Sequence, residues 1–240
     1  MVGRGTYIAV MVGLSGASED YLKAIYHIAH RGEAVTTGLL AAELGVASPS
    51  VTAMIKRLQE GELVDRAGRR ELRLTASGEL AALRVVRRHR LLETFLNQML
   101  GMPWHEVHSE AELLEHVLSE RLEERIDAAL GHPTHDPHGD PIPPRDGPHD
   151  ERWGARLDDV EPPAWFRVRR VSDRDSAALR HLGELGVRPG VVLTVERHDP
   201  FGGPLWVRIG DRPCALGIPL TRLVHGDVLG DDHDLDEETP

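Results

Sequence analysis

Three ionisable residues near the middle of the chain have the spacing of a divalent-cation site. Glu112, Glu115 and His116 stand three and four residues apart, so on a helix their side chains share one face. Two carboxylates and an imidazole that converge beside apolar residues repel one another, or are costly to desolvate, unless a cation joins them. A solvated acidic helix face would carry the same residues, so the three alone leave both interpretations open.

A second pair of possible metal ligands lies in the segment Arg87-Arg-His-Arg-Leu-Leu-Glu93. His89 and Glu93 are four residues apart and share a face of a long helix, which is predicted to start near Thr75 and to run to about residue 100. Ser109 is the predicted N-cap of the next helix, which carries the first three ligands. Two helices must therefore position these side chains.

The residues before these helices have the pattern of a helix-turn-helix. An amphipathic helix is predicted after Ser18. Its apolar side consists of Tyr21, Leu22, Ile25 and Ile28. A short helix from Thr36 ends at Gly45, and another follows with Ser48 as its N-cap and Pro49 in its first turn. Two helices joined by a tight turn place the second one in the DNA major groove.

The predicted DNA contacts lie on that second helix and on the hairpin after it. Small residues at the front of the helix let the backbone approach the bases: Ser48, Pro49, Ser50, Thr52 and Ala53. Lys56 and Arg57 suit phosphates. Residues 63–74 predict a hairpin, or wing, whose arginines meet the DNA backbone or the minor groove: Arg66, Arg69 and Arg70. A solvated arginine-rich hairpin is the alternative, and the preceding helix-turn-helix favours DNA.

Charge is distributed unevenly along the chain. The net charge of −11 argues by itself against nucleic acid. Residues 50–90, however, hold ten basic and five acidic residues, whereas residues 231–240 hold six acids and no base. A basic region embedded in an acidic chain is compatible with DNA binding.

Cysteine content and hydropathy predict a cytoplasmic protein. Cys214 is the single cysteine, which excludes a disulfide within the chain and fits a reducing compartment. No apolar run reaches about 18 residues, so no membrane contact is expected. For residues 1–16, a mobile tail or a true start at Met11 is preferred to a secretory signal.

The composition changes twice after residue 131. Residues 132–163 are rich in proline and histidine, which predicts an extended, solvated linker with weak metal binding as the alternative. Residues 164–229 contain short strands with glycine turns and predict a small β-barrel. Residues 230–240 form an acidic tail, expected to be disordered. The predicted fold class is therefore a mainly α N-terminal part with a small C-terminal β-barrel domain.

Several motifs follow one another in the order of a known family. They are residues 18–26, residues 49–52, residues 87–93, residues 108–116 and Asp140-Pro-Ile-Pro143. Together they resemble the diphtheria toxin repressor family of metal-dependent transcription regulators, over nearly all of residues 18–229. The resemblance implies an N-terminal extension at 1–17, a winged helix-turn-helix domain at 18–75 and a helical metal-binding and dimerisation domain at 76–131. It also implies a proline-rich linker at 132–163 and an SH3-like domain at 164–229.

The resemblance implies two metal sites in each subunit. The residues matched to the primary site are Asp20, Glu112, Glu115 and His116. Those matched to the ancillary site are His89, Glu93 and His108. The SH3-like domain adds ligands in this family, and Asp175 is matched to one of them, with Asp173 as the alternative. The expected amide ligand falls on Ala178, which cannot bind metal.

The ligand types favour manganese. The iron-responsive branch of the family carries Met and Cys where this chain has Asp20 and Glu112, and hard carboxylates with imidazole favour Mn²⁺. Fe²⁺, Co²⁺, Cd²⁺ or Zn²⁺ are possible substitutes. Lys23 stands where the compact manganese regulators have Glu, so separate sites are expected rather than a two-metal cluster.

The predicted function is a manganese-dependent repressor, not an enzyme, that controls metal-homeostasis genes. It is expected to bind palindromic double-stranded operator DNA as a homodimer. The candidate dimer surface is Leu92, Phe95, Leu96 and Met99, with intrachain core as the alternative. Three rival functions are an iron-responsive regulator of the same family, a regulator that senses an organic ligand, and a metal-dependent hydrolase suggested by Glu112-Leu-Leu-Glu115-His116.

Overall fold

The chain is described by a computed structural model that covers residues 14–68, 70–145, 149 and 151–230. It divides into two compact units. Unit one comprises Met1–Leu92, Glu112–Ala129 and Ile142–His149, and unit two comprises Glu93–Ala111, Leu130–Pro141 and Asp150–Pro240. The predictions for residues 1–13, for Arg69 and for the acidic residues 231–240 fall outside the described residues.

Six elements lie wholly in unit one, and a seventh contributes its N-terminal part. They are the helices α1 (Gly16–His30), α2 (Thr37–Leu44), α3 (Ser48–Glu60) and α6 (Glu120–Ala129), and the antiparallel hairpin of β1 (Val64–Arg66) and β2 (Leu72–Leu74), together with the N-terminal part of α4 (Ala76–Leu100). Helix α5 (Val107–Leu114) contributes only its last residues to this unit. The predicted helix-turn-helix and wing are thus present.

Helix ends in unit one follow from local capping. The Ser15 hydroxyl oxygen accepts a hydrogen bond from the backbone N–H of Ser18, so α1 begins before the predicted position. Gly45 has a φ of 64° and ends α2 in the left-handed conformation that favours glycine. The prediction of Ser48 as an N-cap was wrong, because Ala47 is the N-cap and Ser48 is the first helical residue.

The core of unit one is aliphatic and joins α1 to α3. The predicted apolar face of α1 is buried, as are Val51, Ile55 and Leu58 of α3, and all of them belong to one hydrophobic cluster. Each such side chain stabilises the fold by about 2 kcal/mol relative to exposure. A Cβ at Gly78 would overlap the carbonyl oxygen of Leu63, so only glycine lets α4 start this close to the wing. These contacts fix α1, α3 and the wing as one body.

Unit two contains a six-stranded antiparallel sheet in the order β3-β8-β4-β5-β6-β7. The strands are β3 (Ala155–Arg156), β4 (Ala164–Val171), β5 (Val192–His198), β6 (Leu205–Ile209), β7 (Arg212–Leu216) and β8 (Val224–Leu229). Its helices are α7 (Ser176–Leu185) and α8 (Ile218–Thr221). Phe166, Val168, Leu179 and Leu193 are fully buried in its core. The predicted mainly helical N-terminal part and the small C-terminal β-sheet domain are confirmed.

Two predictions about exposure are corrected by this fold. The predicted solvated linker is buried at Asp136, His138 and Leu157, because its turns pack into unit two. Leu92 and Leu96 of the candidate dimer surface are buried within the chain, as the intrachain-core alternative expected, whereas Met99 is 55% exposed. The large exposed apolar residues near the end of α5 and on α6 are instead Leu113, Leu114, Val117 and Leu122.

Among the described residues, no single helix is long and apolar enough to cross a membrane. Helices α2 and α3, which are bent by 112° at their break, satisfy length and composition only as a pair.

The buried histidine on β8 makes the stability of unit two sensitive to acid. Burial, together with the positive charges of Arg170 and Arg156, lowers the pKa of His225 from 6.5 to about 4. The folded state therefore disfavours the imidazolium, so this contribution to stability is complete above pH 6.5 and is lost as the pH falls to about 4. We expect His225→Gln to reduce the loss of unfolding free energy over this range, as measured by urea denaturation. The exposed His181, replaced in the same way, should leave the pH profile of the wild type unchanged.

Candidate metal centres

The first candidate centre lies in unit one, between α1 and the turn after α5. Ligand atoms of Asp20, Glu115 and His116 all lie within 4.8 Å of one another. His116 Nε2 is 2.8 Å from Asp20 Oδ1 and 3.5 Å from Glu115 Oε1, while its Nδ1 is 2.6 Å from Glu19 Oε2. Although burial opposes it, the carboxylates of Glu19, Glu115 and Asp20 raise the pKa of His116. Oxygen and imidazole donors in this number suit a divalent ion of the manganese type.

Lys23 occupies the space between two of the predicted ligands. Its Nζ donates to Glu112 Oε1 at 2.6 Å and to Glu115 Oε1 at 2.5 Å, and the residue is only 8% exposed. Burial lowers the pKa of Lys23, but the carboxylates of Glu115 and Glu112 outweigh it and raise the pKa above its usual value. The ammonium group of Lys23 therefore neutralises part of the acidic cluster. The sequence had indicated only that Lys23 cannot bind metal, and it did not predict this ion pairing.

His89 also contacts Glu115. Its Nδ1 lies 2.5 Å from Glu115 Oε2 and 3.9 Å from Glu112 Oε1. His89 is a residue of unit one, and through Glu115 it belongs to the first centre. Glu115 has no exposed surface, and burial raises the pKa of its carboxyl, but His89 and Lys23 more than offset this and lower it. Glu115 is thus the anion that every cationic group of this centre shares.

The second candidate centre lies in unit two. Glu93 near the end of α4, His108 on α5 and Asp173 after β4 offer ligand atoms within 4.8 Å of one another. His108 Nδ1 is 3.2 Å from Glu93 Oε1 and 2.9 Å from Asp173 Oδ2. Burial lowers the pKa of His108, but hydrogen bonds to Asp173 and Glu93 raise it to about 10. Glu93 is fully buried and Asp173 is half-buried, so their converging charges favour a cation between them, and the ligand types again fit a divalent ion.

The structure places Asp175 outside this second centre. Its Oδ1 accepts hydrogen bonds from the backbone N–H groups of Ala177 and Ala178, both at 3.0 Å, and it is the N-cap of α7. Asp173, which had been the alternative, is the carboxylate that meets His108. An N-cap side chain accepts hydrogen bonds from the backbone N–H groups that have no partner within the helix. In Asp175 this role competes with metal binding for the same carboxylate oxygen.

The predicted DNA-contacting residues form one exposed side of α3. Exposed residues there are Ser48, Pro49, Ser50, Thr52, Ala53, Lys56 and Arg57. They lie opposite Val51, Ile55 and Leu58, which face the core. On the wing, Arg66 and Arg70 are exposed. A helix with a small-residue front and a basic wing beside it has the form that major-groove recognition needs.

Comparison with known proteins assigns the family. Residues 13–72 match the family model for the iron dependent repressor N-terminal DNA binding domain, and residues 75–144 match the one for its metal binding and dimerisation domain. This chain belongs to the diphtheria toxin repressor family. Residues 155–225 of this repressor-family protein also match the FeoA domain. The resemblance inferred from the motifs is confirmed.

The relatives of this repressor-family protein include an iron-dependent repressor, a manganese-dependent repressor and a protein with bound Cd²⁺. This chain is 34% identical over 224 residues to the iron-dependent repressor IdeR of Mycobacterium tuberculosis. The alignment covers 88% of this chain and 96% of that protein. The chain is 40% identical to a manganese-dependent transcriptional repressor solved in complex with manganese, with a TM-score of 0.81 and coverage of 88% and 100%. ScaR with bound Cd²⁺ is 29% identical, with a TM-score of 0.76 and coverage of 87% and 98%.

Proposed function

We propose that this protein is a manganese-dependent transcriptional repressor that binds palindromic operator DNA as a homodimer. The proposal rests on one observation: ligand atoms of Asp20, Glu115 and His116 lie within 4.8 Å of one another. Asp20 belongs to α1, whose apolar face is in the same core as α3. Glu115 and His116 come from the segment between α5 and α6. A site that joins these parts controls the position of the helix that reads DNA.

The chain's own residues explain why a cation matters. Asp20, Glu115 and His116 would hold an ion in the first centre, and Glu93, His108 and Asp173 would hold one in the second. The ion supplies the positive charge that lets these carboxylates converge. Where Asp20 and Glu115 are held together, α1 is fixed near its N-terminal end and α3 is fixed through the shared core. Coupling of this kind between two sites is typically about 1–3 kcal/mol.

Manganese is proposed because of the donors, and dimerisation because of the exposed apolar residues. Both centres consist of carboxylate and imidazole groups, without the thiolate or thioether that softer metals prefer. Leu113 is 73% exposed and Val117 is 77% exposed, which is unusual for residues of this type unless they are covered by a partner. A twofold dimer presents two recognition helices to two half-sites, which a palindrome supplies.

We expect micromolar Mn²⁺ to tighten operator binding of the chelator-treated protein about ten-fold or more, which corresponds to about 1.4 kcal/mol. The measurement is fluorescence anisotropy of a labelled palindromic promoter fragment at fixed salt. Separate titrations with Mn²⁺, Fe²⁺ and Zn²⁺ rank the metals and separate the manganese proposal from the iron-responsive one.

A double variant, Glu115→Ala with His116→Ala, tests the residues. It should bind the same fragment without a response of the wild-type size to any of the three metals. Binding that is equally tight with and without metal in the wild type would contradict the proposal and favour an organic effector.

A further inference from the structure

His138 is a fully buried histidine in the stretch predicted as a solvated linker. Its Nε2 lies 2.7 Å from the carbonyl oxygen of Trp104, and its ring lies against the Trp104 ring at 5.7 Å. Because a carbonyl oxygen only accepts, Nε2 carries the proton of this hydrogen bond. The neutral imidazole then has its lone pair on Nδ1.

The Nδ1 atom of His138 has no hydrogen-bond partner among the described residues. It points toward Glu93 Oε2, but at 3.7 Å, which is too long for a hydrogen bond. A histidine with one nitrogen held by a backbone carbonyl, and the other buried and turned toward a carboxylate, has the arrangement typical of a metal ligand.

The backbone holds this ring in place. Asp136 Oδ1 accepts from the N–H groups of His138 at 2.8 Å and Asp140 at 2.9 Å, and the carbonyl oxygen of His138 accepts from Val171 N at 2.9 Å. Gly139 has a φ of 88°, and a Cβ there would overlap the carbonyl oxygen of Arg169. The turn is therefore built against β4, and His138 is not a residue of a loose spacer.

Glu93 connects His138 to the second centre. One oxygen of Glu93 faces His108 at 3.2 Å, and the other faces His138 at 3.7 Å. Ligand atoms of Glu93, Asp136 and His138 also lie within 4.8 Å of one another. At Ala178, where the family resemblance implies an amide ligand, the chain has no side-chain donor atom.

We propose that His138 is a ligand of the second centre and replaces the missing amide. The proposal rests on the proposed metal-dependent function. Glu93, which turns one oxygen toward each imidazole, then links the ligand group of His108 and Asp173 to His138. The competing explanation is a buried ion pair, in which a doubly protonated His138 only neutralises Glu93.

The first test is Mn²⁺ binding by the chelator-treated full chain, followed by isothermal titration calorimetry. His138→Phe keeps a buried ring against Trp104 but removes the nitrogen donor. It should weaken one of two binding events about ten-fold or more and leave the other unchanged. His135→Phe is the matched control, because His135 lies in the same segment and is exposed. Two unchanged binding events in His138→Phe would overturn the proposal.

A second measurement needs no substitution and does not depend on the folding of a variant. In the Co²⁺-loaded wild type, a coordinated imidazole gives a strongly shifted N–H proton resonance. The N–H of His138 should be one of these resonances and should show a nuclear Overhauser effect to Trp104. Its absence, while other shifted imidazole resonances are present, would contradict His138 ligation and leave the proposed function intact. A wild type that binds neither metal would contradict the proposed function itself.

Discussion

Replacing Lys23 with glutamate is expected to destabilise the metal-free protein by about 3–5 kcal/mol and to make its stability strongly dependent on Mn²⁺. The ammonium of Lys23 lies within 2.6 Å of Glu112 and 2.5 Å of Glu115, and Glu115 is fully buried. Lys23→Glu removes that cation and adds a third carboxylate. Metal binding should then restore stability, and the variant should bind more Mn²⁺ per chain than the wild type does.

The measurement is guanidinium denaturation with chelator and with excess Mn²⁺, together with metal counting after gel filtration. Lys56 is the only other lysine of the chain and is exposed, with its Nζ 3.8 Å from Glu60. Lys56→Glu should change the free energy of unfolding by less than about 1 kcal/mol, and metal should not alter that difference. If Lys23→Glu were as stable as the wild type in chelator, the internal-cation role of Lys23 would be wrong.

Replacing Glu115 with glutamine is expected to remove the manganese response of the first centre and to lower the free energy of unfolding by about 3 kcal/mol. Glutamine keeps the size of the side chain but not its charge. Lys23 would then lose the buried carboxylate and keep its hydrogen bond to the partly exposed Glu112, and His89 would lose the carboxylate at 2.5 Å. Asp20 and His116 would lose the third member of their group.

Two readouts separate stability from metal binding in this variant. Denaturation in chelator reports the lost charge pairing, and Mn²⁺ titration at a temperature where the variant is folded reports the lost ligand. Glu110→Gln is the matched control, because Glu110 is an exposed residue of α5. Wild-type Mn²⁺ affinity in Glu115→Gln would show that Glu115 serves only as a counter-ion for Lys23 and His89.

The order of helices and the form of the DNA-reading part were predictable from the sequence. Tyr21, Leu22, Ile25 and Ile28 recur at the helical period, and Gly45 ends α2 by a local conformational preference. These signals act within about one helical turn, so they do not depend on distant parts of the chain. The spacing of Glu112, Glu115 and His116 predicted one shared helix face, but in the structure Glu112 groups with Glu115 and His89 rather than with His116.

The details of the two centres depended on contacts between distant segments. Helix α5 ends at Leu114, so a turn rather than a helix orients Glu115 and His116. Lys23 reaches Glu115 from a position 92 residues earlier in the chain. No periodic pattern encodes such a distance, because it results from the packing of α1 against the rest of unit one.

What the sequence by itself determined is the helix-turn-helix with its wing, the family and the ligand types. What only the tertiary structure decided is which ligands meet. Asp173 and Asp175 are chemically equivalent in the sequence, but the start of α7 engages one carboxylate as a cap and leaves the other to meet His108. In the sequence, His138 is one of several histidines in a proline-rich stretch. In the structure, the turn at Gly139 places it beside Glu93. The chemistry of a side chain depends on its residue type alone, whereas its burial and its contacts depend on how distant segments of the chain pack.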